Sequence, residues 1–286
     1  MSRIAFVNGR YVPQAQAAVH IEDRGYQFAD GVYEVCEVRG GRIVDERRHM
    51  QRLARSLAEL SIPQPMTPRA LGFVLRETVR RNRVREGLLY LQVTRGVARR
   101  EHAFPAEGTR PGLVVTARSR DREKAERAAA AGISVVTVAD NRWERVDIKT
   151  VALVPNVLAR QVAREQGAAE AWFVDKAGFV TEGAASNAWI VTREGVLVTR
   201  PAENGILRGI TRTVVFELAA ALGLKIEERP FRVAEALEAR EAFVTAATQI
   251  VMPVVRIDGV PVADGKPGAL ARSLRARFHE VAEIGE

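Results

Sequence analysis

The sequence predicts an α+β fold in two domains, and three observations carry that expectation. Strand-like stretches of period two and helix-like stretches of period 3.6 are mixed along the chain with no regular strand–helix–strand repeat. No GxGxxG or Walker sequence is present, which argues against a doubly wound nucleotide fold. At about 150 residues per domain, a chain of 286 residues holds roughly two. The run Arg118-Ser-Arg-Asp-Arg-Glu-Lys-Ala-Glu-Arg127 mixes both charge signs and reads as a solvated helix face or a connection. The domains are therefore placed at residues 1–120 and 121–286.

Each element has a local reason. Ile4-Ala-Phe-Val7 and Tyr11-Val12 flank Asn8-Gly9, a strong hairpin signal, and Val32 to Val38 alternates across Arg39-Gly40-Gly41 into Arg42-Ile-Val44. Helices are expected over about 46–60 and 67–84, the second started by Thr67 before Pro68. Strands at 88–94 and 112–116 complete the first domain. The second opens with a strand at 133–138 and an apolar helix over about 151–166, followed by strands near 170–174, 178–181, 186–191 and 195–199. A helix over about 210–222 stops at Gly223, where a left-handed cap is cheapest. Strands near 224–228, 241–246 and 253–257, a turn at Asp258-Gly259 and a terminal helix follow.

Composition narrows the function classes. With 47% hydrophobic and 27% charged residues the chain is globular, and no segment reaches the uncharged apolar length of a membrane span. The start, MSRIAFVNGRYVPQ, lacks the apolar core of a signal peptide, so a cytoplasmic protein is expected. One cysteine, Cys36, excludes an internal disulfide framework and a thiolate metal cluster, and no metal is expected. The net charge of +8 invites a nucleic-acid reading, but the arginines are spread along the chain and no aromatic RNA-binding motif or zinc finger accompanies them. Of 43 basic side chains only five are lysines, so an amine nucleophile has few candidates.

Four of the five lysines have bland settings: Lys124 in the charged run, Lys176 and Lys266 in turns, Lys225 at a strand start. Lys149 lies between Arg145-Val-Asp-Ile148 and Thr150-Val-Ala-Leu-Val154, among residues a protein buries. Burial disfavours the ammonium and suits a Schiff-base amine. A lysine paired with Asp147, or snorkelling from an edge strand, is the competing reading. Glu182 ends an apolar strand just before the small residues Gly183-Ala-Ala185. Such a carboxylate either caps a turn or holds a pyridine nitrogen protonated, making a pyridoxal ring an electron sink.

Together these segments resemble the class IV, or fold-type IV, pyridoxal-phosphate aminotransferases, most closely the bacterial D-amino-acid aminotransferases. The matching motifs run nearly end to end: Glu22-Asp-Arg-Gly-Tyr-Gln-Phe-Ala-Asp-Gly-Val-Tyr-Glu-Val35, His49-Met-Gln-Arg-Leu53, Gln92-Val-Thr-Arg-Gly96, Arg142-Trp-Glu-Arg-Val-Asp-Ile-Lys149, Thr181-Glu-Gly183, Ser186-Asn187 and Leu207-Arg-Gly-Ile-Thr-Arg212. The resemblance implies a smaller N-terminal α/β domain and a larger C-terminal domain with a barrel-like sheet that binds pyridoxal 5'-phosphate. It implies that Lys149 forms the internal aldimine and then shuttles the proton between Cα and C4′. Glu182 would bind the pyridine nitrogen, and Arg52, on one helix face with His49, would pair with the phosphate. Ile210 and Thr211, opening a helix, would add backbone N–H groups and a hydroxyl, a plain N-cap threonine being the competing reading. Ala247 and Thr248 would complete the phosphate loop. There the sequence Thr245-Ala-Ala-Thr248 departs from the family by placing Ala247 where a hydroxyl is usual, and Ala184 and Ala185 replace serines.

The same resemblance implies a substrate. Arg100 and His102, at i and i+2 of an extended loop, would form with Tyr33 the trap for the substrate α-carboxylate, reaching the site from the neighbouring subunit of a homodimer. A solvated basic loop and a core tyrosine are the bland alternatives. Val35, Lys149, Ser186 and Leu207 are expected to line parts of the side-chain pocket. The implied reaction is ping-pong amino transfer from a D-amino acid such as D-alanine or D-glutamate to a 2-oxo acid such as 2-oxoglutarate or pyruvate. Competing members of the class are branched-chain L-amino-acid aminotransferases, aminodeoxychorismate lyases and (R)-amine transaminases.

Overall fold

The computed structural model describes residues 3–203 and 205–285, which form two compact units. The first takes in the chain up to Arg122, the short segment Ile148–Ala152 and the residues from Glu283 onward; the second takes in Glu123–Asp147 and Leu153–Ala282.

In the first unit β1 (Ile4–Val7) and β2 (Arg10–Pro13) form a hairpin whose turn, Asn8-Gly9, has both residues at positive φ, 45° and 94°. The chain continues through α1 (Arg24–Phe28), β3 (Gly31–Arg39), β4 (Arg42–Ile43), α2 (Glu46–Glu59), α3 (Pro68–Arg81), β5 (Gly87–Thr94) and β6 (Gly112–Ser119). The six strands make an antiparallel sheet in the order β2-β1-β6-β5-β3-β4. Alternation sends Val32, Cys36, Leu89, Leu91, Val93 and Val115 into one core with Leu53 and Leu57 of α2 and Leu71 and Leu75 of α3. Tyr33, Tyr90 and Gln92 fall on the opposite parity, and Tyr33 pairs with Gln92 and Val35 with Tyr90. Thr67 caps α3, accepting from the Ala70 N–H, with Pro68 at the first position. That helix stops at Arg81, short of the expected residue 84. The Asn82 amide turns back to Thr78 O and Ile4 O (both 2.8 Å), closing the helix and tying it to β1.

The second unit begins with α4 (Arg122–Ala131) and β7 (Ile133–Ala139), then α5 (Val154–Glu165), β8 (Glu170–Val174), β9 (Val180–Gly183), β10 (Asn187–Val191) and β11 (Leu197–Thr199). It ends with α6 (Ile210–Ala221), β12 (Ile226–Glu228), α7 (Val233–Glu238), β13 (Glu241–Ala246), β14 (Ile250–Ile257), β15 (Val260–Pro261) and α8 (Ala269–Val281). Its sheet runs β12-β11-β10-β13-β14-β7-β8-β9, with β15 on β14. β9, the last strand of that path, is joined to β10, near its other end, by a tight turn in which Gly183 N–H donates to Ser186 O at 2.7 Å. So short a link bends the sheet round on itself, which is the barrel-like form. Trp172, Ile190, Phe231, Val244 and Met252 fill one side of it, while Trp189 stacks on Phe243 and meets Phe216 of α6.

The run 118–127, expected as a solvated helix face or a connection, finishes β6, where Arg118 pairs with Leu88, and continues as the largely exposed α4, whose Glu126 pairs with Arg275 of α8; the division between the two units falls within it. The helix expected from 151 starts at Val154, because the preceding residues are held in extended form against β3 through a bridge between Val32 and Thr150. There Tyr33 N–H donates to Lys149 O and Val151 N–H to Gly31 O, both at 3.0 Å. The short elements α1, α7 and β15 were not among the expected ones.

Glu241 joins β13 to α8. Its buried carboxylate accepts from the Leu270 and Ala271 N–H groups at 2.9 Å, and a Cβ on Gly268 would meet its Cδ at 2.0 Å. Replacing it leaves two donors of the first helical turn unsatisfied. Glu241→Ala is predicted to lower stability by about 2 kcal/mol in urea unfolding; a loss under about 0.5 kcal/mol would mean that water satisfies that helix end.

Candidate active site

Lys149 lies in the first unit, on the segment bridged to β3 at Thr150. Ile148 and Thr150 on either side of it are buried and Lys149 itself is half-buried. Its Nζ stands 4.2 Å from the centre of the Tyr33 ring. Asp147, the partner of the competing reading, is engaged by Arg145 through two bonds of 2.9 and 3.1 Å. Tyr90 lies beside Tyr33 (ring centres 5.8 Å) and donates its hydroxyl to Gln92 Oε1 at 2.7 Å. Burial, with Tyr33 alongside, pushes the Tyr90 phenol up to about 12, so it remains a neutral donor.

Arg52 and His49 share a face of α2, as their spacing requires, and both reach Glu34 on β3. Arg52 donates from Nε and Nη2 to the two Glu34 oxygens at 2.7 Å, and His49 Nδ1 lies 2.7 Å from Oε2. Glu34 is fully buried. Burial pushes its carboxyl up, but the Arg52 charge and hydrogen bonds, with those of His49, outweigh it and hold the group at about 2. The partner of Arg52 within the chain is thus a carboxylate that sequence reasoning did not assign. The available signal was its phase, since Glu34 alternates with the core residues Val32 and Cys36 and a charge there requires a partner.

Arg100 and His102 are exposed on the loop after β5, and both side chains meet one ring. Arg100 Cζ is 5.1 Å from the centre of Phe28, and the His102 ring is 5.4 Å from it.

In the second unit Glu182 is the penultimate residue of β9, buried. Its Oε1 accepts from Arg142 Nη1 at 2.5 Å, and its Oε2 from Asn187 Nδ2 at 3.0 Å and Leu207 N–H at 3.1 Å. Arg142 is held in turn by Asp140, through Nε (2.9 Å) and Nη2 (2.8 Å), and lies 4.3 Å over Phe173. Asn187 also donates to Leu207 O (2.8 Å), and a Cβ on Gly209 would meet its Oδ1 at 2.2 Å. Glycine at 209 therefore lets the chain close over Glu182 and Asn187 as it enters α6. The α6 N-cap is Gly209, with no side-chain cap bond, so Thr211 lies inside the first turn and is not the N-cap. The first main-chain bond of the helix runs from Thr213 N–H to Gly209 O (3.0 Å), leaving the N–H groups of Ile210 and Thr211 outside the helical ladder. Ala247 and Thr248 form the turn between β13 and β14. Ile250, just beyond it, has φ of 59°, a conformation costly for a β-branched residue and one that tight binding loops tend to store. Asn187 pairs with Thr245 across β10 and β13, so the Glu182 cluster and this turn belong to adjoining strands.

This donor set fits pyridoxal phosphate. Within the second unit three donors orient a carboxylate for a protonated ring nitrogen, and a helix start presents N–H groups to an anion. Residues 31–257 match the amino-transferase class IV family. The chain belongs to that family.

The aminotransferase is 42% identical over 268 residues to the D-alanine aminotransferase of Bacillus licheniformis, covering 94% of this chain and 93% of that one. It is 40% identical to the D-alanine aminotransferase of Listeria innocua, covering 96% and 94%. Among solved structures it resembles the pyridoxal-phosphate-bound form of a hypothetical aminotransferase from Mycobacterium tuberculosis, at a TM-score of 0.84 and 26% identity, covering 97% and 98%. Its fold is that of a fold-type IV aminotransferase.

Glu34 lies below its unfolded value of 4.5, so the stability it contributes is complete above that pH and is lost as pH falls through about 2. The gap in unfolding free energy between the wild-type aminotransferase and Glu34→Gln is predicted to narrow by about 3 kcal/mol over that window. A pH-independent gap would show that Glu34 is not held as an ionised partner of Arg52.

Proposed function

We propose that this aminotransferase carries out pyridoxal-phosphate-dependent, ping-pong transfer of the amino group of a D-amino acid, D-alanine or D-glutamate, to a 2-oxo acid, 2-oxoglutarate or pyruvate, as a cytoplasmic homodimer. The observation that carries the reading is that Arg100 and His102, a carboxylate-binding pair, converge on one ring. Relatives at 40–42% identity named as D-alanine aminotransferases support it. Among the described residues no helix is long and apolar enough to cross a membrane.

When bound, the cofactor supplies an electron sink that makes the substrate Cα–H acidic. Lys149 Nζ would hold the cofactor covalently and, once free, would serve as the base and acid that moves the substrate Cα proton. Tyr33, 4.2 Å away, shelters that amine from water. Glu182, held by Arg142 and Asn187, would accept from the ring nitrogen. Arg52, Ile210, Thr211, Ala247 and Thr248 would hold the phosphate, with the main-chain N–H of Ala247 serving where the family has a hydroxyl. Tyr33, together with Arg100 and His102 of the neighbouring subunit, binds the α-carboxylate. With amine and carboxylate both fixed, only one enantiomer directs its Cα–H at Lys149, which is the origin of D selectivity.

Borohydride reduction of the protein loaded with pyridoxal phosphate, followed by peptide mapping, is expected to leave the pyridoxyl group on Lys149, and Lys149→Ala is expected to abolish turnover while keeping the fold. Recovery of the group on another lysine would overturn the assignment. In single half-reactions D-alanine and D-glutamate are expected to react at least about a hundredfold faster than their L forms. A preference for the L forms would replace this reading with the branched-chain one.

A further inference from the structure

We propose that Arg24 is the positioning residue of the carboxylate-binding loop, a buried guanidinium that determines where Arg100 and His102 stand. The inference rests on the reading that those two residues bind the substrate carboxylate, and deepens it.

Arg24 opens α1 and is only 4% exposed. Its Nε donates to Asp30 Oδ2 at 2.8 Å. Nη1 donates to the main-chain oxygen of Glu101 at 2.5 Å, and Nη2 lies 3.4 Å from that of His102. One planar fork thus holds the backbone on either side of the peptide that links the two residues. The same guanidinium lies 4.8 Å from the centre of Phe28, the ring that Arg100 and His102 also meet. Main-chain bonds carry the loop onto α1 from below: Arg24 N–H donates to Gly96 O (2.9 Å) and Ala98 N–H to Glu22 O (3.3 Å). Asp30 is shared with Arg95, which binds it through Nε (2.7 Å) and Nη2 (3.0 Å), donates to Leu60 O and Ser61 O, and lies 3.8 Å over Phe104. Burial pushes the Asp30 carboxyl up, but bonds from Arg95 and Arg24 outweigh it and hold it below the usual range. The loop is therefore gripped at Gly96, at Glu101 and His102, and at Phe104, while the two side chains that would meet substrate remain exposed.

Exposed side chains on a loop bind a carboxylate bidentately only if their backbone is already in place; otherwise ordering the loop is charged to each binding event. Arg24 does that ordering in advance, through carbonyls rather than through the substrate.

The test uses the holoenzyme with pyridoxal phosphate and compares Arg24→Gln, Phe28→Leu and Arg100→Gln. Asp30 keeps its two bonds to Arg95 in the first variant, and the second removes the shared ring while leaving every ion pair intact, so the pair remains informative if one folds poorly. Steady-state KM and kcat for D-alanine, the inhibition constant of propionate, and the dissociation constant of pyridoxal phosphate are measured. Arg24→Gln is expected to raise KM and the propionate constant about tenfold, with kcat within about threefold and cofactor affinity within about twofold; Phe28→Leu is expected to move them the same way. A merely structural role would weaken cofactor affinity and kcat together without selectively raising the two carboxylate-dependent constants, and that outcome overturns the inference. So do unchanged constants in both variants while Arg100→Gln raises them. Should Arg100→Gln itself leave them unchanged, the carboxylate reading fails and the role of Arg24 falls with it.

Discussion

A carboxylate with no access to water must be satisfied from within, and Glu34 places that demand at the centre of the first unit. It points into the core from β3 between Val32 and Cys36, where burial penalises its charge. Arg52 and His49, one turn apart on α2, answer it with three contacts of 2.7 Å. Three charge-assisted contacts of fixed direction allow α2 a single register against β3. Tyr33, the next residue along, is thereby placed on the opposite face, and its main chain in turn holds the segment that carries Lys149.

The same device recurs in the second unit. Glu182 ties β9 to the entry of α6 through Asn187 and Leu207, and Glu241 ties β13 to the first turn of α8. Glu170, also without exposure, binds Arg160 of α5 and the Ser186 hydroxyl. In each case a strand carboxylate sets a helix or a turn, and removing one partner would strand a buried charge. Arginine suits buried carboxylates such as Glu34, Glu182 and Glu170 because its donors diverge in a plane. Arg24, Arg95, Arg142 and Arg275 each bind a carboxylate and a second acceptor at once, a geometry beyond a lysine ammonium. The lopsided arginine content, which as a net charge of +8 points nowhere in particular, therefore carries a structural role.

What could be seen in the sequence was local. Asn8-Gly9, Thr67-Pro68 and Gly223 mark the ends of elements through their own backbone preferences, and those ends lie where expected. Motif order identified the family, and Glu182, Ile210 and Thr211 lie on one connected piece of the second unit. Pairings made across the chain were not legible. The Arg52 bond to Glu34, the Arg142 clamp on Glu182 and the bridge that holds the Lys149 segment to β3 depend on which surfaces meet, and periodicity has no access to that. Short elements such as α1 were missed for a related reason: five residues hold too little pattern, and Asp23 and Thr94 stabilise this one through a hydrogen bond made far along the chain.

The first unit is discontinuous in a way that bears on its synthesis. Its sheet through β6 is complete in sequence by Ser119, yet Gly31 O and the Tyr33 N–H find their partners only when Lys149 and Val151 have emerged. The main chain around β4 and α2 waits longer still. Asp45 N–H donates to Glu283 O, and Gly285 N–H to Ile43 O. A growing chain thus carries a nearly finished N-terminal unit with open hydrogen-bonding groups at the lysine segment and at a distal seam, and closes them in that order. The segment bearing Lys149 is laid down before the final stitch, so the first unit is completed only after that lysine has been built into it.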